Sequence, residues 1–256
     1  AYDFSKNLND YFFYLILFFL GAVLMRSAGC IVNDLLDKEF DKKVFRTKDR
    51  PIASGLISIK FAILYVIVLC LLALLVLLNF NTFTITLAMC SMPLAFTYPL
   101  MKRFTYWPQL FLGITFNYGL ILGWTSVRDQ LDIMPILFYI GAIFWTLGYD
   151  SIYGYQDIKD DEIIGLKSTS IKFKQSAKKF LFTCYSLFII LFLVGGYYMN
   201  FDYIYYIIFI VPLSHLFFFQ IKFFNSLNPV SCLRVFKSNN LFGLIIFLNI
   251  LISKNL

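Results

Sequence analysis

The chain has 256 residues, 60% hydrophobic, 20% aromatic and 14% charged, whereas a soluble domain is about 45–50% apolar and about 25% charged. With a mean hydropathy of +0.75, that excess is too large for one soluble core. It excludes a soluble globular protein and makes the chain an integral membrane protein. The net charge of +7 comes from the loops, so it reports topology rather than nucleic-acid binding.

Apolar runs of about 17–22 residues are long enough to cross a bilayer as helices. Eight are predicted, in an all-α, polytopic bundle: roughly 11–32, 61–79, 82–98, 107–124, 133–150, 179–198, 201–219 and 237–253. Pro, Gly or Asn marks several boundaries, and the shortest connections are Phe80-Asn81 and Asn200. The loops 33–60, 98–107, 151–180 and 220–240 carry 18 of the 22 Lys and Arg residues. Lys6, Arg128 and Lys254 lie on the opposite side, and Arg26 lies inside the first span. By the positive-inside rule those four loops face the cytoplasm. Eight spans then leave the N-terminus outside, so a further helix is expected before residue 1. No soluble-domain linker and no solenoid-length repeat is visible, and the whole of 1–256 reads as one membrane domain.

The five cysteines (Cys30, Cys70, Cys90, Cys184, Cys232) show no CxxC pairing and mostly fall in apolar runs. They are expected to be small core hydrophobes. The single histidine, His215, sits in an apolar run, where helix packing is the expected role.

Two short windows hold most of the acid. Five of the 15 acidic residues lie between 34 and 49, and five between 150 and 162. Carboxylates gathered at helix ends in a membrane protein are costly unless something cationic holds them. Asp34, Asp37 and Asp41 are spaced i, i+3, i+7, which puts them on one face of a helix continuing from the first span. Asn33 adds a neutral oxygen. Asp150, Asp157 and Asp161 are spaced i, i+7, i+11, again one face of a continuous helix, with Tyr153 on it. A solvated charged face would mix these acids evenly with Lys and Arg. Oxygen-only donors of this kind suit Mg²⁺, which keeps several waters and bridges few carboxylates to substrate phosphates. No His-Cys constellation suggests zinc or iron.

Basic residues follow each acidic set: Arg46-Thr47-Lys48-Asp49-Arg50-Pro51 after the first, Lys167-Ser168-Thr169 after the second, and Tyr98-Pro99-Leu100-Met101-Lys102-Arg103 in another loop of the same side. Each alone is an ordinary positive-inside loop. Together, acids for metal and bases for phosphate oxygens describe a diphosphate clamp. The Phe, Tyr and Trp between them would line an apolar, lipid-like channel.

These motifs resemble those of the UbiA family of intramembrane aromatic prenyltransferases. Asn33, Asp34, Asp37 and Asp41 resemble its NDxxDxxxD signature, extended by Arg46-Thr47 and Arg50-Pro51. Asp157 and Asp161 resemble its DxxxD signature, and Tyr98 with Lys102 its YxxxK element. The strings Gly29–Asp34 and Tyr149–Asp157 through Thr169 are most similar to members that prenylate 4-hydroxybenzoate in ubiquinone biosynthesis. The resemblance covers nearly the whole chain. It implies nine membrane helices, the first with an arginine-containing segment, and places that helix upstream of residue 1.

The resemblance further implies magnesium held by Asp34, Asp37 and Asp41 and by Asp157 and Asp161, gripping a polyprenyl diphosphate. Asn33, Arg46, Arg50, Tyr98, Lys102, Arg103 and Lys167 would bind the diphosphate. Asp150 or Tyr153 would help deprotonate the aromatic acceptor. A bacterial inner membrane, with the site on its cytoplasmic side, is expected ahead of the mitochondrial inner membrane. Three alternatives stay open. One is another acceptor within the family (haem, menaquinone-precursor or chlorophyll type). Another is a cation- or proton-coupled transporter, and the third an inactive remnant.

Overall fold

The computed structural model describes residues 8–44 and 47–255. In chain order the helices are α1 (Leu8–Asp41), α2 (Ile59–Leu77), α3 (Thr82–Thr97), α4 (Met101–Phe104), α5 (Pro108–Phe116), α6 (Gly119–Arg128) and α7 (Ile133–Gly154). There follow α8 (Ile158–Ile164), α9 (Thr169–Lys172), α10 (Ala177–Tyr198), α11 (Tyr203–Ser214), α12 (Pro229–Lys237) and α13 (Asn239–Asn255). A 3₁₀ turn covers Tyr98–Leu100 and a π-helix His215–Ile221. Among the described residues eight segments are long and apolar enough to cross a bilayer, in agreement with the eight predicted.

The first span continues as the sequence reading expects, and α1 runs on as one rod to Asp41. The last begins at Pro229 rather than 237, because α12 is amphipathic and its Arg234 and Lys237 read as loop. Asn228 caps it by accepting from the backbone N–H groups of Val230 and Ser231, with Pro229 in the first turn, an N-terminal arrangement that leaves few orphan donors.

The chain forms two compact units. One holds the described residues up to Leu100 together with 122–131. There α1 packs along α2, and buried small residues such as Ala28, Ala62 and Ala73 allow the close helix approach that packing in lipid depends on. Phe80, in the α2–α3 connection, lies 5.0 Å from the ring of Phe18 on α1. Asn81 caps α3 through Thr84 N and donates to Thr125 O at 2.8 Å, which explains an Asn at so short a connection.

The other unit comprises 101–121 and 132 onward. Its centre is the α7–α10 pair. A Cβ at Gly141 would meet the Phe192 ring at 2.7 Å, and one at Gly148 the Tyr185 ring at 2.5 Å, so these two glycines on α7 are seats for aromatic side chains of α10. Tyr185, Phe188, Phe209 and Phe242 are fully or almost fully buried around them. A chain of polar side chains threads this core. Tyr185 donates to Gln220 Oε1, Gln220 donates to Asn239 Oδ1 at 2.9 Å, and Trp145 Nε1 donates to the same oxygen at 2.9 Å. Buried polar groups in a membrane bundle must find partners inside it, and Gln220 reaches two of them from the π-helix.

His215 stacks on Phe219 and meets Ser238 Oγ at 3.1 Å, a packing position like the one expected for it. The cysteines divide. Cys184 and Cys232 are buried in the core, whereas Cys30 and Cys90 are exposed. An apolar run in a membrane protein does not imply burial, because lipid accepts the outer face of a helix.

Candidate active site

The first acidic set occupies the last three turns of α1. Asn33, Asp34, Asp37 and Asp41 all lie on this unbroken helix, so the predicted i, i+3, i+7 stripe exists. Asp37 is 2% exposed, Asp41 8%, and Asp34 is half-buried. Neighbouring Glu39 points outward and pairs with Lys42 at 2.8 Å on the surface, a contact of little energetic weight. Helical periodicity thus sorts the carboxylates into an inward row and a solvated bystander.

After Asp41 the chain folds back over the helix end. Thr47 Oγ1 donates to Asp41 O at 3.1 Å, and Arg50 N donates to Thr47 O at 3.0 Å. This brings Arg50 over the acid row, where its Nη1 donates to Asp34 Oδ1 and to Asp41 Oδ2, each at 3.0 Å. One guanidinium nitrogen therefore joins the two ends of the stripe. Arg46, predicted to bind diphosphate, lies outside the described residues.

The second set is built differently from the sequence expectation. Asp150, Asp157 and Asp161 do not share one continuous helix, because α7 ends at Gly154 and α8 starts at Ile158. Asp150 and Tyr153 belong to the last turn and a half of α7. Asp157 opens α8 and Asp161 lies within it. At the end of α7 Gly154 makes a close approach, where a Cβ would meet Ser170 Oγ at 2.5 Å and Gln109 Nε2 at 3.2 Å. Tyr155 then turns into the core. Its hydroxyl donates to Phe173 O at 3.0 Å, and burial pushes its phenol well above the ordinary value, so it stays a neutral hydrogen-bond donor. Tyr153 packs its ring against Phe236 at 4.7 Å.

A short helix this close to an irregular turn needs a firm end. Gly165, at φ +80°, supplies the left-handed cap of α8, and Leu166 N donates back to Asp161 O at 2.9 Å, a common C-terminal arrangement. The next residue, Lys167, donates its N–H to Lys102 O at 2.8 Å. Lys102, Arg103 and Lys167 are thereby gathered beside the segment that carries Asp157 and Asp161. Lys167 spends its ammonium on Phe104 O at 3.2 Å. Lys172 lies over the Trp107 ring at 4.3 Å. Tyr98 stands in the 3₁₀ turn after α3, half-buried.

Sequence reasoning missed the residues that hold this segment. Gln109 accepts from Thr169 N at 2.9 Å, Thr169 Oγ1 donates to Tyr106 O at 3.1 Å, and Ser170 Oγ donates to Ser151 O at 2.8 Å. Gln109, Thr169 and Ser170 are all buried. The available signal was a glutamine opening an apolar run after Trp107-Pro108.

Residues 4–250 match the UbiA prenyltransferase family. The chain belongs to that family. It is 46% identical over 244 residues to the mitochondrial 4-hydroxybenzoate polyprenyltransferase of Bos taurus, covering 93% of this chain and 64% of that protein. It is 38% identical over 236 residues to the 4-hydroxybenzoate octaprenyltransferase of Francisella tularensis subsp. mediasiatica, covering 92% and 82%. The chain thus spans less than two-thirds of the length of the mammalian relative. The apo structure of a UbiA homolog from Aeropyrum pernix K1 superposes with a TM-score of 0.73 at 22% identity, covering 93% of this chain and 88% of that one, a likeness of fold.

The donor set suits the divalent cation that the UbiA family implies. Asn33, Asp34, Asp37 and Asp41 offer oxygen alone, and two of the carboxylates are almost fully buried, a costly state that a cation relieves. Among the described residues no three acidic, His or Cys side chains converge on one point. An all-protein cage is not what Mg²⁺ needs, since it leans on one or two carboxylates, water and substrate phosphates.

Proposed function

We propose that this UbiA-family protein transfers a polyprenyl group from polyprenyl diphosphate to the ring of 4-hydroxybenzoate, with Mg²⁺, as in ubiquinone biosynthesis. The observation that carries the reading is the buried row Asp37–Asp41 at the end of a membrane helix, capped by an arginine, in a chain related to named 4-hydroxybenzoate prenyltransferases. The second set, Asp157 and Asp161, would hold the other side of the same diphosphate. Magnesium, when bound, supplies positive charge against which negative charge can build on the leaving group.

The chain's own residues would do the rest. Asn33 and Asp34 extend the first acid row directly or through water. Arg50, Lys102 and Arg103 neutralise the diphosphate as the allylic C–O bond breaks and the bonding pair leaves with it, an electrostatic contribution that is often the largest in such steps. Arg46 would join them. Tyr98 and Lys167 orient the same group. The ring carbon beside the phenol oxygen then forms the new C–C bond, and the proton it carried passes to Asp150, with Tyr153 beside it on the last turns of α7. Aromatic walls shield the allylic cation and exclude water that would hydrolyse it.

The 18-to-3 split of basic residues supports a site on the positive-inside face of the membrane, the cytoplasmic face of a bacterial inner membrane in this reading. Acids at helix ends, rather than at interrupted helices near the midplane, weigh against a coupled transporter.

The test incubates membranes carrying the protein with labelled polyprenyl diphosphate, Mg²⁺ and a panel of phenolic acids. Labelled product is expected from 4-hydroxybenzoate. Asp37→Ala and Asp157→Ala should each lower turnover by about 10²–10³-fold, the usual scale for losing a preorganised electrostatic group. Near-normal turnover in either variant would end the shared-clamp reading.

A further inference from the structure

The structure gives Arg50 two different kinds of attachment. Its backbone is fixed: Ser54 N and Ser54 Oγ both donate to Arg50 O, at 2.8 and 2.9 Å, and Ile57 N closes onto Pro51 O at 3.0 Å. Pro51 further narrows the conformations open to Arg50, and buried Ile52 and Ala53 anchor the turn. Its head group, by contrast, sits at the end of a long side chain that is 35% exposed. That head bridges Asp34 and Asp41 through one nitrogen. A rigid base with a releasable cationic head is the form of an exchangeable counter-ion.

We propose that Arg50 is the resident cation of the first acid row. It neutralises Asp34 and Asp41 while no divalent ion is bound, and gives up that position to the ion and turns to the diphosphate when metal and donor enter. The inference rests on the function proposed above. Three carboxylates within two helical turns repel one another, so the row needs a positive partner even without metal. Arg50 holds one oxygen of Asp34 and one of Asp41, and its guanidinium repels any divalent ion brought onto the same carboxylates. The two cations therefore compete, and metal affinity is set partly by the cost of displacing Arg50. Arg50 is a positioning residue for the free acid row and a diphosphate ligand only afterwards.

The experiment measures Mn²⁺ binding by electron paramagnetic resonance, in detergent, for the wild type, Arg50→Gln and Arg50→Lys, alongside prenyl transfer. Arg50→Gln should bind Mn²⁺ about tenfold tighter, on the scale of a charge-assisted hydrogen bond, while prenyl transfer falls. Arg50→Lys, whose compact ammonium lacks the planar fork, should bind about threefold tighter. A purely structural arginine would move affinity and turnover downward together. If the wild type binds Mn²⁺ and transfers prenyl groups but neither variant binds tighter, the resident-cation inference is overturned and the function stands. If Arg50→Gln fails to fold, the lysine variant decides. If the wild type neither binds Mn²⁺ nor transfers, the function falls and the inference with it.

Discussion

The two acidic sets are built by different means. The first is a property of a single helix: α1 continues past the apolar run, and 3.6-residue periodicity alone aligns Asp34, Asp37 and Asp41. Its upkeep is electrostatic, through one arginine on a tight turn. The second is split by a turn, so no periodicity aligns it. Its upkeep is steric and comes from neutral hydrogen bonds, through Gly154, Gln109, Thr169, Ser170 and the Gly165 cap. A row on a rod tolerates changes to its neighbours, whereas a row on a braced turn depends on small residues that carry no charge at all.

Substitutions can break or sharpen this contrast. Gly154→Val forces a branched side chain into Ser170 and Gln109; about 3 kcal/mol of unfolding free energy in detergent should be lost, the scale of overpacking a tight site. An unchanged unfolding midpoint would mean that the turn, and not its packing, sets the second row. Gln220→Leu removes the centre of the Tyr185–Gln220–Asn239 chain and leaves a buried phenol without its acceptor. A loss of about 1–2 kcal/mol is expected, read by the same unfolding measurement. The smallest effect belongs to the first row. Gly29→Ala meets nothing within 4 Å on α1 and should stabilise by about 0.5 kcal/mol through helix propensity. A loss of prenyl transfer there would show that the rod is less self-sufficient than its geometry states.

Much of this architecture was legible beforehand, and what escaped has physical reasons. Eight spans follow from hydropathy, since lipid imposes length and apolarity on any helix that crosses it. The first acid row follows from spacing, because nothing interrupts α1. Three features were not readable. The break after Gly154 falls where Ser170 lies against it, a contact sixteen residues away in sequence. The last span looked shorter than it is because Arg234 and Lys237 lie on an amphipathic helix, where charge need not mean loop. The fourth hydrophobic run is divided at Asn117, whose side chain donates to Gly113 O, Ala142 O and Thr146 Oγ1 at 2.8, 3.2 and 2.8 Å. An asparagine in an apolar run reads as a mild penalty until its three acceptors are known.

The π-helix at His215–Ile221 has a consequence for insertions and deletions. Its wider turns store surplus backbone relative to a regular α-helix, so this stretch can lose one residue with both flanking ends left in place. Such a deletion would wind the segment back to α-helical pitch and swing Gln220 by about 100°. Length would be absorbed locally, and the cost would fall on the phenol that Gln220 now receives.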